Sequence, residues 1–169
     1  VGGGAVNEYL FGKEGKPEQR GKLAVFVELI EAEKRHRHAL KVKKAATIHD
    51  GSPYAEGLAN VFGDVFTRLA GAGAITAREA ISPTDTDMRP VLTKIAATKP
   101  DLVYFPIFIA AGGFVVRQAK EVAGLAKVKL MSADGTFSPD FRKAAGDAVV
   151  GVYNSSPDLT KLGPGYAKF

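Results

Sequence analysis

The feature that most constrains this chain is a recurring unit. A short apolar, β-branched stretch ends on polar residues and then enters an amphipathic helix. The clearest copy is KKAATIHDGSPYAEGLANVFGDVFTRLAG, residues 43–71. Ala45 to Ile48 reads as a buried strand that stops at His49-Asp50-Gly51. Ser52 offers a side-chain acceptor to the first free N–H groups of a helix. Pro53 stands at the first helical position, where a missing N–H costs nothing. Leu58, Val61, Phe62, Val65, Phe66 and Leu69 recur at helical spacing, which predicts one buried face.

The unit repeats with new sequences. Strands are predicted at Ile75 to Ile81, Leu102 to Phe108, Val128 to Ser132 and Val149 to Asn154. Helices are predicted over Pro53 to Leu69, Asp87 to Thr98, Ala110 to Val122 and Pro139 to Ala145, with Pro100 and Gly124 as stops. Alternation without hairpin signals implies right-handed crossovers. The fold class is therefore α/β: a doubly wound, flavodoxin-like parallel sheet of about five strands with helices on both faces. Ligands of such open sheets sit outside the carboxyl ends of the strands, so polar residues at those ends are the candidates for function. The expected organisation is a flexible segment over 1–22, a single α/β lobe over 23–157 and a tail over 158–169. Leu23, Phe26, Val27 and Ile30 share a helical face, predicting a helix over 23–40, although LAVFVELI also suits a strand.

Bulk properties narrow the function. The 169 residues suffice for one domain with a core. There is no cysteine, which excludes a disulfide framework and a thiolate metal site. Residues 1–49 hold 10 Lys/Arg against 6 Asp/Glu, whereas residues 50–169 hold 13 against 12. The net charge of +5 thus belongs mainly to the N-terminal segment. The α/β body is not a phosphate-tracking surface, and no nucleic acid is expected as a partner. The basic cluster at 34–44 (KRHRH…KVKK) carries no interleaved aromatic residues and reads as a solvated face.

Several chemistries lack their residues. His49-Asp50-Gly51-Ser52-Pro53-Tyr54 has none of the glycines that admit a pyrophosphate, and no P-loop is present. His49, Asp50 and Ser52 carry the letters of a hydrolytic triad but are nearly contiguous, whereas a triad draws its members from separate loops. Asp50 and Ser52 suit helix capping instead. His36 and His38 diverge on a helix, which argues against a metal site. As a phospho-acceptor, Asp50 lacks the further acids and the lysine at a later strand end that such a site needs. No cofactor, metal or catalytic activity is expected.

Four stretches taken together resemble the type I periplasmic binding proteins, most closely the substrate-binding subunits of branched-chain amino-acid ABC transporters. They are KKAATIHDGSPYAEGLA, ISPTDTDMRPVLTKIAATKPDLVYF, VVRQAKEVAGL and LMSADGTFSPDFRKAAGDAVVGVYNSSP, between about Lys41 and Pro157. Their order matches the second of the family's two lobes. The resemblance implies a non-catalytic periplasmic or extracellular receptor that clamps an amino acid between two hinged lobes and delivers it to an ABC permease. It implies three ligand contacts here. Tyr54 is the aromatic that leans on the solute. Asp134 is the acid that pairs with an α-ammonium. Phe108 stands where the family often has Tyr, keeping the ring and losing the hydroxyl. Tyr54 and Asp134 follow predicted strands and Phe108 ends one, so all three share one rim, and a carboxylate among aromatic rings suits an ammonium. Each also has a structural alternative: Asp134 as a turn residue before Gly135, Tyr54 and Phe108 as packing residues.

Family members run to roughly twice this length, and residues 1–40 do not read as the first lobe. A fragment, an engineered single lobe or a natural one-lobe relative are the explanations considered. One lobe covers one side of a solute, so weak or absent binding is expected, with a ligand-free flavodoxin-like scaffold as the alternative. An uncovered lobe surface would also favour a homodimer.

Overall fold

The computed structural model describes residues 42–155. The helix expected over 23–40, the segment 1–22, the tail and most of the basic cluster lie outside the described residues. In chain order the elements are β1 (Ala45–His49), α1 (Pro53–Ala70), β2 (Ile75–Ala80), α2 (Arg89–Ala97), β3 (Leu102–Tyr104), α3 (Ile109–Glu121), β4 (Lys129–Ser132), α4 (Pro139–Ala145) and β5 (Tyr153–Asn154). Short 3₁₀ turns occupy Asp134–Thr136 and Gly146–Val149.

All pairings are parallel, in the order β2-β1-β3-β4-β5. The strands are short, and the central pair β1 and β3 buries both faces. Ala46 and Ile48 of β1 and Val103 of β3, with Phe105 just beyond it, face a core shared with Leu92 and Ile95 of α2 and Val115 and Val116 of α3. Tyr104, on the alternate face of β3, stacks on Phe62 of α1 at 4.4 Å, and Phe62 stacks on Phe66. Helices therefore cover both faces, as the alternation of elements predicts. Each large side chain so buried contributes about 1.5–3 kcal/mol.

Local chemistry explains the element ends. The Ser52 hydroxyl accepts from the Ala55 N–H at 3.2 Å, and Asp50 accepts from the Ser52 N–H and hydroxyl at 3.0 and 2.6 Å. Asp50 and Ser52 are thus spent on the cap of α1. Gly71 and Gly73 turn the chain into β2 with φ of 99° and 79°, a backbone that other residues rarely adopt.

Three boundaries differ from expectation by more than one residue. The apolar run Leu102 to Phe108 leaves the sheet after Tyr104. Phe105 still donates to Met131, but Pro106 has no N–H, and the Ile107 N–H folds back onto the Phe105 carbonyl at 2.8 Å. β5 keeps only Tyr153–Asn154 of the expected Val149 to Asn154, because Val150 and Val152 donate into tight turns and Gly151 has φ 84°. α2 starts at Arg89 instead of Asp87. The Gln118 side chain of α3 accepts from the Met88 N–H at 2.6 Å and donates to the Thr86 carbonyl at 2.7 Å, holding the approach loop against α3.

On β2, at one edge of the described sheet, Arg78 lies over Gly63 and pairs with Asp64 at 3.1 Å, while Glu79 pairs with Lys94 at 2.8 Å. In α3, Gly112 and Gly113 sit mid-helix, where glycine costs about 1 kcal/mol relative to alanine. They allow close approach. A β-carbon on Gly113 would lie 2.9 Å from the Ala144 β-carbon of α4, and one on Gly112 would lie 3.2 Å from the Thr136 methyl. Gly113→Ala is expected to gain the propensity term and lose about 1–3 kcal/mol to overpacking, a net destabilisation. A lowered urea midpoint at unchanged slope would show it, and a raised midpoint would contradict it.

Candidate functional site

In the order 2-1-3-4-5 the chain reverses its direction of travel across the sheet between β1 and β3, opening a crevice where ligands of such folds sit. The residues leaving these two strands meet across it. Tyr54, in the first turn of α1, stacks on Phe108 with ring centroids 5.5 Å apart and planes 29° apart. Phe108 lies four residues past the end of β3, as the N-terminal flanking residue of α3, and not at a strand end as the sequence suggested. The bend at Pro106 carries it onto the rim. Phe108 is 52 % exposed even though Phe105 and Ile107 near it are fully buried, so it is not a core residue.

Asp134 opens the 3₁₀ turn after β4, and its carboxylate accepts a hydrogen bond from the Tyr54 hydroxyl. The structure thus brings together all three residues singled out in the sequence. Asp134 is exposed and Tyr54 half-buried. Burial pushes the Tyr54 phenol well above its ordinary value, and the hydrogen bond to Asp134 and its negative charge act in the same direction. The Gly135 backbone N–H acts in the opposite direction, pulling it down. Tyr54 therefore stays protonated and keeps donating to Asp134 across the ordinary pH range. Asp134 retains lone pairs for a second donor from solvent or a ligand.

Chemically the rim offers a carboxylate, two ring faces and a phenol. His49 accepts from the Gly51 N–H at 3.2 Å, a local turn contact away from any nucleophile–base arrangement. Among the described residues no group of three His, Cys, Asp or Glu side chains could hold a metal ion. No described helix is long and apolar enough to cross a membrane.

Two contributors escaped the sequence. Gly135 read only as a turn residue, yet it lies against Phe108. Gln118, a polar residue on the buried face of an amphipathic helix, was the one legible hint of the clamp on the β2–α2 loop.

Comparison with known proteins gives concordant matches. A family model described as periplasmic binding protein matches residues 29–169. The chain is 33% identical over 124 residues to the Leu/Ile/Val-binding protein BraC3 of Rhizobium johnstonii, covering 72% of this chain and 32% of that protein. It is 30% identical over 125 residues to the leucine-, isoleucine-, valine-, threonine- and alanine-binding protein of Pseudomonas aeruginosa, covering 73% and 32%. It therefore spans about a third of the length of these curated relatives. Among solved structures, the branched-chain amino acid transporter substrate binding protein LivJ of Streptococcus pneumoniae in complex with isoleucine superimposes with a TM-score of 0.57 at 27% identity, covering 68% of this chain and 31% of that one. A leucine binding protein of Thermotoga maritima gives 0.65 at 23% identity over 85% and 41%, a likeness of fold.

The raised Tyr54 pKa fixes the sign of an alkaline effect. The folded state holds the phenol proton more tightly than the unfolded chain, whose ordinary value is 10.0. The resulting stability is fully present below that pH and is lost as pH rises through the folded value. Tyr54→Phe should abolish this component, so denaturation midpoints of the two proteins should converge as pH climbs past 10.0. Parallel profiles would show that the phenol is not perturbed.

Proposed function

The chain belongs to the periplasmic binding protein family, and we propose that its described lobe is one jaw of a non-catalytic amino-acid receptor. The observation that carries the proposal is the convergence of Tyr54, Phe108 and Asp134 at the β1/β3 crevice. The solute's ammonium pairs with the Asp134 carboxylate, while its apolar part lies against the stacked rings. The printed names of the relatives, for leucine, isoleucine and valine among other amino acids, support an amino acid with an aliphatic side chain.

In the whole receptor a second lobe supplies the opposite wall, and the captured solute passes to an ABC permease from the periplasm or the cell exterior. This division of labour sets the affinity of the single lobe. An exposed charge pair contributes about 0.2–1 kcal/mol, and binding at 1 mM already requires about 4 kcal/mol. One jaw cannot bury the 70–90 % or so of a ligand surface that closed pockets bury. Millimolar or weaker binding is therefore expected of the described lobe.

The test is a two-dimensional NMR titration of the labelled chain with a mixture of the common amino acids to millimolar concentration. Saturable shifts clustered at Tyr54, Phe108 and Asp134, and absent in Asp134→Ala, are expected. A well-dispersed spectrum that no amino acid moves would favour a folded scaffold without receptor function.

A further inference from the structure

The turn that presents Asp134 is seated so tightly against the Phe108 segment that a side chain at its middle residue would need its neighbours to give by a few tenths of an ångström. A β-carbon on Gly135 would stand 3.2 Å from the Ile107 carbonyl oxygen and 3.3 and 3.6 Å from two carbons of the Phe108 ring. The requirement is one of space alone. Gly135 is not among the glycines with positive φ, so its backbone suits any residue.

What surrounds this glycine is the site itself. Phe108 stacks on Tyr54, and Tyr54 donates to Asp134, the residue before Gly135. On its other side the turn cannot retreat. Thr136 is 1 % exposed, and its methyl fills the notch left by Gly112 of α3. Its hydroxyl lies 3.1 Å from the Ala133 carbonyl and 3.2 Å from the Asn154 side chain of β5, within hydrogen-bonding distance of both. A side chain at 135 must therefore displace Phe108 and the backbone at Ile107, because Thr136 blocks the opposite movement.

We propose that Gly135 is a positioning residue of the solute site: its missing side chain sets the distance between the Asp134 carboxylate and the Tyr54–Phe108 ring pair. The proposal rests on the receptor function above for its biological meaning, but its geometric content stands without any solute. A few tenths of an ångström at Phe108 change the ring overlap and the direction in which the Tyr54 hydroxyl reaches Asp134. A loosely placed carboxylate then contacts an ammonium less often, with the fold intact.

The test compares the 169-residue chain with Gly135→Ala and with Gly57→Ala as a control. Gly57 lies on the same rim helix and has nothing within 4 Å of its β-carbon position. In the absence of solute, Gly135→Ala should weaken the ring-to-ring nuclear Overhauser contacts between Tyr54 and Phe108 and move their ring-current shifts, leaving α2 and β2 unchanged. Gly57→Ala should leave the ring pair as it is. Unchanged ring contacts in Gly135→Ala would overturn the proposal. On titration with leucine, isoleucine and valine, the response at Asp134 should fall several-fold in Gly135→Ala. An unchanged response beside displaced rings would also overturn it. If the unsubstituted chain itself gives no response, the receptor function fails and the ring contacts alone judge the positioning role.

Should Gly135→Ala unfold, the double variant with Phe108→Ala decides. Removing the ring should restore a folded, dispersed spectrum, whereas a double variant that stays unfolded would show that the ring does not carry the effect.

Discussion

Close approach through absent β-carbons is the constraint on which the rest of this lobe depends. Gly112 and Gly113 leave a groove in the middle of α3. The Thr136 methyl and α4 settle into it, with Phe141 beside Gly112 and Ala144 against Gly113. Each glycine weakens the helix, and the groove it leaves is filled by the buried Thr136 and Phe141 and the half-buried Ala144. The turn that carries Asp134 is thereby pinned to the same helix whose first residues carry Phe108. Two of the three segments that form the site are thus held on one helix.

Sheet order then gives that arrangement a purpose. Because β1 and β3 are neighbours while their helices leave toward opposite faces, the crevice between them exists for topological reasons alone. Tyr54 and Phe108 meet across it, from α1 on one face and α3 on the other. Such a crevice is a feature of every sheet with this order. The particular chemistry comes from a few residues grafted on it.

Much of this was legible in the sequence, for identifiable reasons. The Ser52–Pro53 start of α1 and the apolar spacing to Leu69 act locally, so periodicity and capping chemistry reveal them. The rim positions of Tyr54 and Asp134 follow from strand ends. The limits were equally physical. The apolar run through Phe108 looked like one strand because burial continues past Pro106, while the ladder stops there for want of an N–H. Val149 to Val152 looked extended, and Gly151 turns it. Above all, the hydrogen bond between Tyr54 and Asp134 spans 80 residues, and the role of Gly135 depends on what packs above it. Spacing along a chain carries no information about either.

The charged side chains on β2 bear on how such a lobe survives as an unassembled polypeptide. A strand at the border of a sheet presents a row of unsatisfied backbone groups to any other extended chain. Here Arg78 is drawn over Gly63 toward Asp64 on one face and Glu79, 14 % exposed, pairs with Lys94 on the other, so this border of the described sheet is flanked by paired charge on both sides. The exposed pair of Arg78 and Asp64 adds little to the stability of the native state. Charge placed at a sheet border instead disfavours edge-to-edge pairing between copies.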